Sequence, residues 1–314
     1  MSNRPDIALA RQQQAIWHAA QQGDPEALFA VAFWHLAGDV VPRDLARARQ
    51  ILRKAVEAGH AEAAAIEIAL AANGTGAPAD WDLAAKRLEQ ASETFGGEFK
   101  RQRDLLASAL SFDADGCDVQ TFSSRPSIRL FKQALTPQEC AHIIEASRQY
   151  LEPAMVQDPV SGRLIPHPIR TSSAAVVGPT RATLPLYAVC RRVFGMIDIA
   201  FEQAESMTVL HYKPGQQFKA HLDTLPHTRN QRCATALIYL NAQYSGGETV
   251  FPKLNISVRG GQGDLLVFDN TQGDGLPDPL SLHSGDPVET GEKWLGSIWI
   301  RQRPFDMWKG PDQA

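Results

Sequence analysis

The first third of the chain repeats itself, and that repeat limits the possible folds more than any bulk property does. Gly23, Ala27, Gly38, Pro42, Asp44, Ala48, Leu52 and Ala55 recur 36 residues later as Gly59, Ala63, Gly74, Pro78, Asp80, Ala84, Leu88 and Ala91. A fixed offset that carries Gly, Pro and Asp punctuation means one supersecondary unit used twice, each copy burying its apolar face against the next. The unit reads as a helical hairpin. Residues 27–36 form one helix, Gly38 and Pro42 interrupt the chain, and Asp44 is placed to cap a second helix running to Ala55. Alanines at the facing positions let the two helices approach closely. The clear units are 23–58 and 59–94, inside a helical stretch covering 1–112 that is rich in Ala, Leu, Gln and Arg.

Residues 113–125 are polar and turn-rich and read as a linker. Beyond them the periodicity changes. Thr136-Pro137-Gln138-Glu139 is a capping box with proline at the first helical position, opening a helix to about Gln149. Short β-forming runs follow at 208–212, 235–240, 249–251, 256–258, 265–268 and 294–300, separated by turns such as Lys213-Pro214-Gly215, Ser245-Gly246-Gly247 and Arg259-Gly260-Gly261. Many short strands between glycine turns predict a sandwich, jelly roll or barrel over 126–314. The fold class is therefore α+β, with all-α hairpin repeats ahead of a β domain.

Composition removes several functions. At 314 residues and a formal charge of −4, the chain has length for two domains and no basic surplus for nucleic acid. No apolar run approaches a membrane span, and the N-terminal residues lack the apolar core of a signal peptide. Cys117, Cys140, Cys190 and Cys233 are scattered with no CxxC pair, which reads as reduced structural thiols. The expected setting is cytoplasmic.

The chemistry sits in His221-Leu222-Asp223, then His283, then Lys293. On a strand, side chains at i and i+2 leave the same face, so His221 and Asp223 can share a metal, with His283 arriving from another strand. Two imidazoles and a carboxylate are the facial triad of non-heme Fe(II), although Zn, Ni and Co suit the same donors. His-x-Asp alone is a weak signal; its surroundings are not. HYKPGQQFKAHLDT, TALIYLN, GGETVFP, GDLLVFDN, SLHSGDPVETGEKW and WIR occur in order, after FKQALTPQECAHII and RTSSAAVV.

From Phe131 to Arg301 this resembles the prolyl 4-hydroxylase branch of the Fe(II)/2-oxoglutarate oxygenases, whose fold is a double-stranded β-helix. The resemblance implies Fe(II) on His221, Asp223 and His283, with 2-oxoglutarate and O2 as cosubstrates. It implies that Lys293 pairs with the far carboxylate of 2-oxoglutarate, and that Tyr212 and Thr249 add hydrogen bonds to it. Trp299, six residues past the lysine, matches a tryptophan near the pocket. Ordinary β-core packing explains Tyr212, Thr249 and Trp299 equally well, and a solvated turn explains Lys293. Because Asp223 keeps the carboxylate that halogenating relatives lack, hydroxylation is the expected reaction. The loops 152–169 and 224–233 flank the expected pocket, and Arg170, His227 and Arg232 are substrate-contact candidates there, or else surface and strand-end groups.

The repeat segment GDPEALFAVAFWHLAGDVVPRDLARARQILRKAVEAGH resembles a Sel-type repeat, a relative of the tetratricopeptide repeat. That family implies a protein partner; a helical brace that binds nothing explains two units as well. The leading expectation is a hydroxylase of a peptidyl residue, with proline as the family default. A hydroxylase of a free amino acid or small metabolite, and a non-catalytic repeat scaffold with a 2-oxoglutarate-sensing β domain, stay open beside it.

Overall fold

The computed structural model describes residues 4–113, 116–157 and 164–309. They form two compact units: one holds the residues up to Leu110 with Pro179–Tyr187, the other Ser111–Gly178 and the chain from Ala188 onward. Residues 158–163 of the 152–169 loop lie outside the described residues.

The first unit contains α1 (Arg4–Gln21), α2 (Pro25–Ala37), α3 (Leu45–Glu57), α4 (Ala61–Asn73), α5 (Trp81–Phe95) and α6 (Gly97–Leu110). The repeat is visible atom by atom. Asp44 and Asp80 cap α3 and α5, accepting from the backbone N–H of Arg47 at 2.8 Å and of Leu83 at 2.9 Å. Their own N–H groups donate to the carbonyls of His35 and Ala71, again 36 residues apart. Gly38 and Gly74 end α2 and α4 in the left-handed conformation, at φ +79° and +77°. Gly76 is a second fixed point: a Cβ there would lie 2.4 Å from the Leu45 carbonyl oxygen, so the hairpin loop needs glycine to pass. Ala32, Ala48, Ala55, Ala63, Ala84, Leu52 and Leu88 are buried between the helices, as the facing alanines predict. Asn73, at the end of α4, donates from Nδ2 to the Pro179 carbonyl and the Tyr187 hydroxyl at 2.9 and 2.8 Å, which holds Pro179–Tyr187 in this unit.

The second unit carries β1 (Val119–Ser124), β2 (Ser127–Phe131), α7 (Pro137–Arg148), β3 (Glu152–Pro153), β4 (Met155–Gln157), β5 (Leu164–Pro166), β6 (Ser173–Val177), α8 (Leu184–Met196, shared with the first unit), β7 (Met207–Tyr212), β8 (Phe218–His221) and β9 (Arg232–Tyr239). It continues with β10 (Tyr244–Gly246), β11 (Thr249–Phe251), β12 (Ile256–Val258), β13 (Leu265–Asp269), β14 (His283–Gly285), β15 (Val288–Gly291) and β16 (Lys293–Arg301). One antiparallel sheet runs β1-β2-β13-β9-β16-β7-β6-β3 and a smaller one β12-β11-β14-β8, with β10-β15 and β4-β5 as separate pairs. Leu210, Tyr212, Leu237, Leu266, Phe268 and Leu295 of the large sheet pack with Phe251, Val258 and Val288 of the smaller strands in one core. Two sheets sharing a core in this way make the double-stranded β-helix.

The α7 capping box is present: Thr136 Oγ1 accepts from Glu139 N–H, and Glu139 Oε2 accepts from Thr136 N–H. Glu139 also receives a bidentate pair from Arg192 of α8 at 2.7 and 2.9 Å, so one carboxylate serves a cap and a buried ion pair. All six β runs read from the sequence are strands. Outside that reading, β1 falls inside 113–125 and pairs with β2, and its exposed, polar residues suit the edge of the sheet.

Candidate metal centre

His221 ends β8 and lies opposite His283, the first residue of β14, in the antiparallel register. One strand pair therefore delivers both imidazoles. Asp223 does not follow from strand alternation: β8 stops at His221, and Asp223 stands in the bend beyond it. Its carboxylate is held from another strand. Thr235 Oγ1 of β9 donates to Asp223 Oδ2 at 2.6 Å, and the fully buried Asn270 donates from Nδ2 to Thr235 Oγ1 at 2.8 Å. Neither Thr235 nor Asn270 was singled out from the sequence. Nothing local marks them, since their role depends on which strands become neighbours.

The three side chains form a donor set. One ligand atom from each of His221, Asp223 and His283 lies within 4.8 Å of the other two. His221 Nε2 is 3.5 Å from Asp223 Oδ1, and His283 Nε2 is 3.7 Å from Asp223 Oδ2. The outer ring nitrogens are anchored: His221 Nδ1 is 2.8 Å from the Lys219 carbonyl, and His283 Nδ1 is 2.9 Å from the Ser281 carbonyl. A carbonyl only accepts, so each Nδ1 donates, which leaves each Nε2 as the ring nitrogen facing the carboxylate. The short 3-10 turn Pro279–Ser281 ahead of β14 positions the second of those carbonyls. The His221 ring stacks on Phe218 at 3.6 Å, and Phe268 meets the His283 ring edge-on at 4.6 Å, which fixes both planes.

Electrostatics fit a cation here. Burial alone would raise Asp223; the adjacent His283 and His221 and the Thr235 hydrogen bond outweigh it and hold the carboxyl far below its usual range. Burial lowers His283, against the pull of Asp223. A neutral imidazole beside a carboxylate of this kind is a ready pair of ligands, and a mixed N,N,O set with open space suits Fe(II).

A cavity lies beside the triad and is bordered by His221, Asp223 and His283. Lys293, Leu295, Ser297 and Trp299, alternate residues of β16, all line it. Register sets their neighbours: Lys293 lies opposite Tyr212, Leu295 opposite Leu210, Ser297 opposite Leu237 and Trp299 opposite Thr235. Lys293 is 2 % exposed. Its Nζ donates to the Gly247 carbonyl at 2.6 Å and lies 5.6 Å from the ring centres of Tyr212 and Tyr239. A Cβ on Gly247 would come within 3.2 Å of the lysine stem, so glycine leaves room for it. Burial lowers Lys293 to about 8, partly offset by Glu248 and Asp286. Thr249 is buried, its Oγ1 3.0 Å from the Tyr239 hydroxyl. Burial pushes the Tyr212 hydroxyl up to about 12.

The other candidates divide. Trp299 lines the cavity, and its buried Nε1 has no hydrogen-bond partner among the described residues. Arg232 stays outside the lining. It pairs with Glu205 at 2.7 and 2.8 Å and covers the Trp299 ring at 3.9 Å. Arg170 bridges to Phe218 through the backbone, with its guanidinium 5.8 Å from that ring. His227 is exposed at φ +58° in the loop after Asp223 and does not line the cavity.

The family model of the 2OG-Fe(II) oxygenase superfamily matches residues 207–301. Probable prolyl 4-hydroxylase 7 and prolyl 4-hydroxylase 2 of Arabidopsis thaliana are each 32% identical, over 64% of this chain and 71% and 76% of theirs. A viral collagen prolyl hydroxylase structure from Paramecium bursaria Chlorella virus-1 is 24% identical, with a TM-score of 0.46 over 55% of this chain and 95% of that one. No helix among the described residues is long and apolar enough to cross a membrane. With the His-Asp-His set, the family match and relatives of this identity and coverage in place, the chain belongs to the prolyl 4-hydroxylase family of Fe(II)- and 2-oxoglutarate-dependent dioxygenases.

Proposed function

We propose that this enzyme hydroxylates a peptidyl residue, with proline as the substrate residue, and that His221, Asp223 and His283 hold its iron. The observation that carries the cosubstrate assignment is Lys293: a buried ammonium whose one hydrogen-bond partner among the described residues is the Gly247 carbonyl, lining the same cavity as the triad. A buried charge of this kind is costly unless an anion joins it, and a ligand carboxylate supplies that anion in a charge-assisted bond. Tyr212, opposite Lys293, and Thr249 add hydroxyl groups to the same end of the cavity. Fe(II) at the triad supplies the oxidising chemistry by which 2-oxoglutarate, O2 and a C–H bond become succinate, CO2 and an alcohol.

The protein's part is position and exclusion of water. Lys293 fixes the far end of the cosubstrate, while Leu210, Leu237 and Leu295 keep the space between it and the triad apolar. Trp299 offers a flat wall with an indole N–H that has no partner among the described residues, and Arg232, held by Glu205, stacks on that ring. Arg170 and His227 stand outside the cavity lining and serve as contacts to a bound peptide rather than to the cosubstrate. The peptidyl and prolyl parts of the proposal rest on the relatives, which are named prolyl 4-hydroxylases.

The test is succinate formation by anaerobically Fe(II)-loaded protein given 2-oxoglutarate, then O2, with proline-containing peptides or free amino acids. Peptide-stimulated succinate, one oxygen atom added to the peptide, and loss of both in His283→Ala and Asp223→Ala are expected. Stimulation by free amino acids alone would move the substrate to small metabolites. Failure to bind 2-oxoglutarate would leave a scaffold.

A further inference from the structure

Lys293 is the first residue of β16, and the ends of elements are where a fold opens most easily. Its four-carbon stem could carry the ammonium out to water and relieve the cost of burying a charge. The start of β16 therefore needs an anchor. On the β9 side the paired residues end with Leu295 opposite Tyr239, the last residue of β9, and the Trp294 carbonyl accepts from Leu240 N–H at 3.0 Å. Beyond that point a side chain takes the place of the strand. Asn241 Oδ1 accepts from Trp294 N–H at 2.8 Å, and Asn241 Nδ2 donates to the Glu292 carbonyl at 2.7 Å. One amide thus supplies an acceptor and a donor, as a neighbouring strand would. The two groups it binds flank Lys293.

The β7 side holds the same two residues by their side chains. Lys293 lies opposite Tyr212, and Trp294 lies opposite His211. Alternation sends Tyr212 and Lys293 to the cavity face, and His211 and Trp294 to the other. There the His211 ring stacks on Trp294 with centres 4.1 Å apart, and His211 Nε2 is 2.9 Å from Glu292 Oε2. The Glu292 side chain is 51% exposed, so water weakens that contact. The two bonds from Asn241 are the firmer hold.

We propose that Asn241 is a positioning residue for the cosubstrate lysine: it anchors the backbone on both sides of Lys293 and so keeps the ammonium inside the cavity. This rests on Lys293 pairing with the far carboxylate of 2-oxoglutarate, as proposed above. Asn241 does not line the cavity and acts on binding through Lys293 alone. Without it the ammonium stands ready in a smaller fraction of molecules, and affinity falls by that fraction.

Two measurements on full-length, anaerobically Fe(II)-loaded protein test this. Amine acetylation with peptide mass mapping reads the position of Lys293 without any ligand, and equilibrium dialysis reads affinity for 2-oxoglutarate. In the wild type Lys293 should be protected while the exposed Lys213 and Lys253 react. Asn241→Ala should label Lys293, leave the other two unchanged, and bind 2-oxoglutarate about tenfold more weakly, as loss of two hydrogen bonds implies. Lys293→Ala should bind weakly whether or not Asn241 is also replaced. Gln203→Ala is the control: it removes a bond of the same kind, Nε2 to the Arg301 carbonyl at 2.6 Å, from the far end of β16, and should change neither reading.

Unchanged Lys293 labelling in Asn241→Ala would overturn the proposal. An equal rise in Gln203→Ala would overturn it as well, since it would mean a general loosening of β16. So would a further loss of affinity when Asn241→Ala is added to Lys293→Ala, which would give Asn241 a route of its own. Wild-type affinity in Lys293→Ala would instead sink the cosubstrate role of the lysine, with the labelling still deciding whether Asn241 holds it.

Discussion

The two units are held together over different distances along the chain, and that difference governs how each can be read. In the helices the decisive contacts are local: Asp44 to Arg47 and Asp80 to Leu83, three residues apart in each case. The next repeat then reproduces them. In the β unit the corresponding contacts are remote: Thr235 to Asp223 spans 12 residues, Asn270 to Thr235 35, and Lys293 to Gly247 46. Local contacts build a frame, whereas the chemistry is assembled from segments that meet only when strands pair.

The sharpest way to break the comparison is Asp223→Ala. It should abolish metal binding and succinate formation while leaving the helical circular-dichroism signal unchanged; retained metal binding in a titration would remove the triad from the mechanism. Leu88→Ala works from the other side. Leu88 is fully buried in α5, and its truncation should cost about 2–5 kcal/mol in urea unfolding. Succinate formed per folded molecule should stay the same, and a fall would show that the helices do more than carry themselves.

Thr235→Val keeps shape and removes one hydroxyl. Metal affinity, measured against a chelator, should fall about 10–100-fold if that hydroxyl orients Asp223, and an unchanged affinity would make Thr235 mere packing. Lys293 supplies a pH test. Burial brings its ammonium to about 8 from an ordinary 10.5, and only the charged form grips a carboxylate. Affinity for 2-oxoglutarate should therefore be full below that pH and decline above it, by up to about tenfold per pH unit. Lys293→Arg should lack this midpoint, because a guanidinium keeps its charge. The smallest effects belong to the caps. Asp44→Ala and Asp80→Ala should each cost about 1 kcal/mol, and unequal losses would mean that the repeats differ energetically despite their shared geometry.

Much of this was legible beforehand, for identifiable reasons. The repeat, its caps and the Thr136–Glu139 capping box depend on residues within one turn of each other, so their spacing carries the information. His221, Asp223, His283 and Lys293 stood out because titratable groups are rare in β-forming runs and these came in family order. Alternation along one strand also explains why Lys293 and Trp299 share a wall. Alternation failed at Asp223, where β8 has already ended and a hydroxyl from β9 takes over. Arg232 looked available for substrate; Glu205 occupies it, and that carboxylate is remote in sequence.

By itself, the sequence determined the hairpin units, the strand segments and the candidate metal-binding side chains, because those depend on local propensity, spacing and residue chemistry. Only the tertiary structure decided the pairing of β8 with β14, the support of Asp223 by Thr235 and Asn270, and the burial of Lys293. It also decided the convergence of three arginines on Glu67. Each of these is a meeting of distant segments, where burial and register, rather than any one residue's preference, set the charge and direction of a side chain.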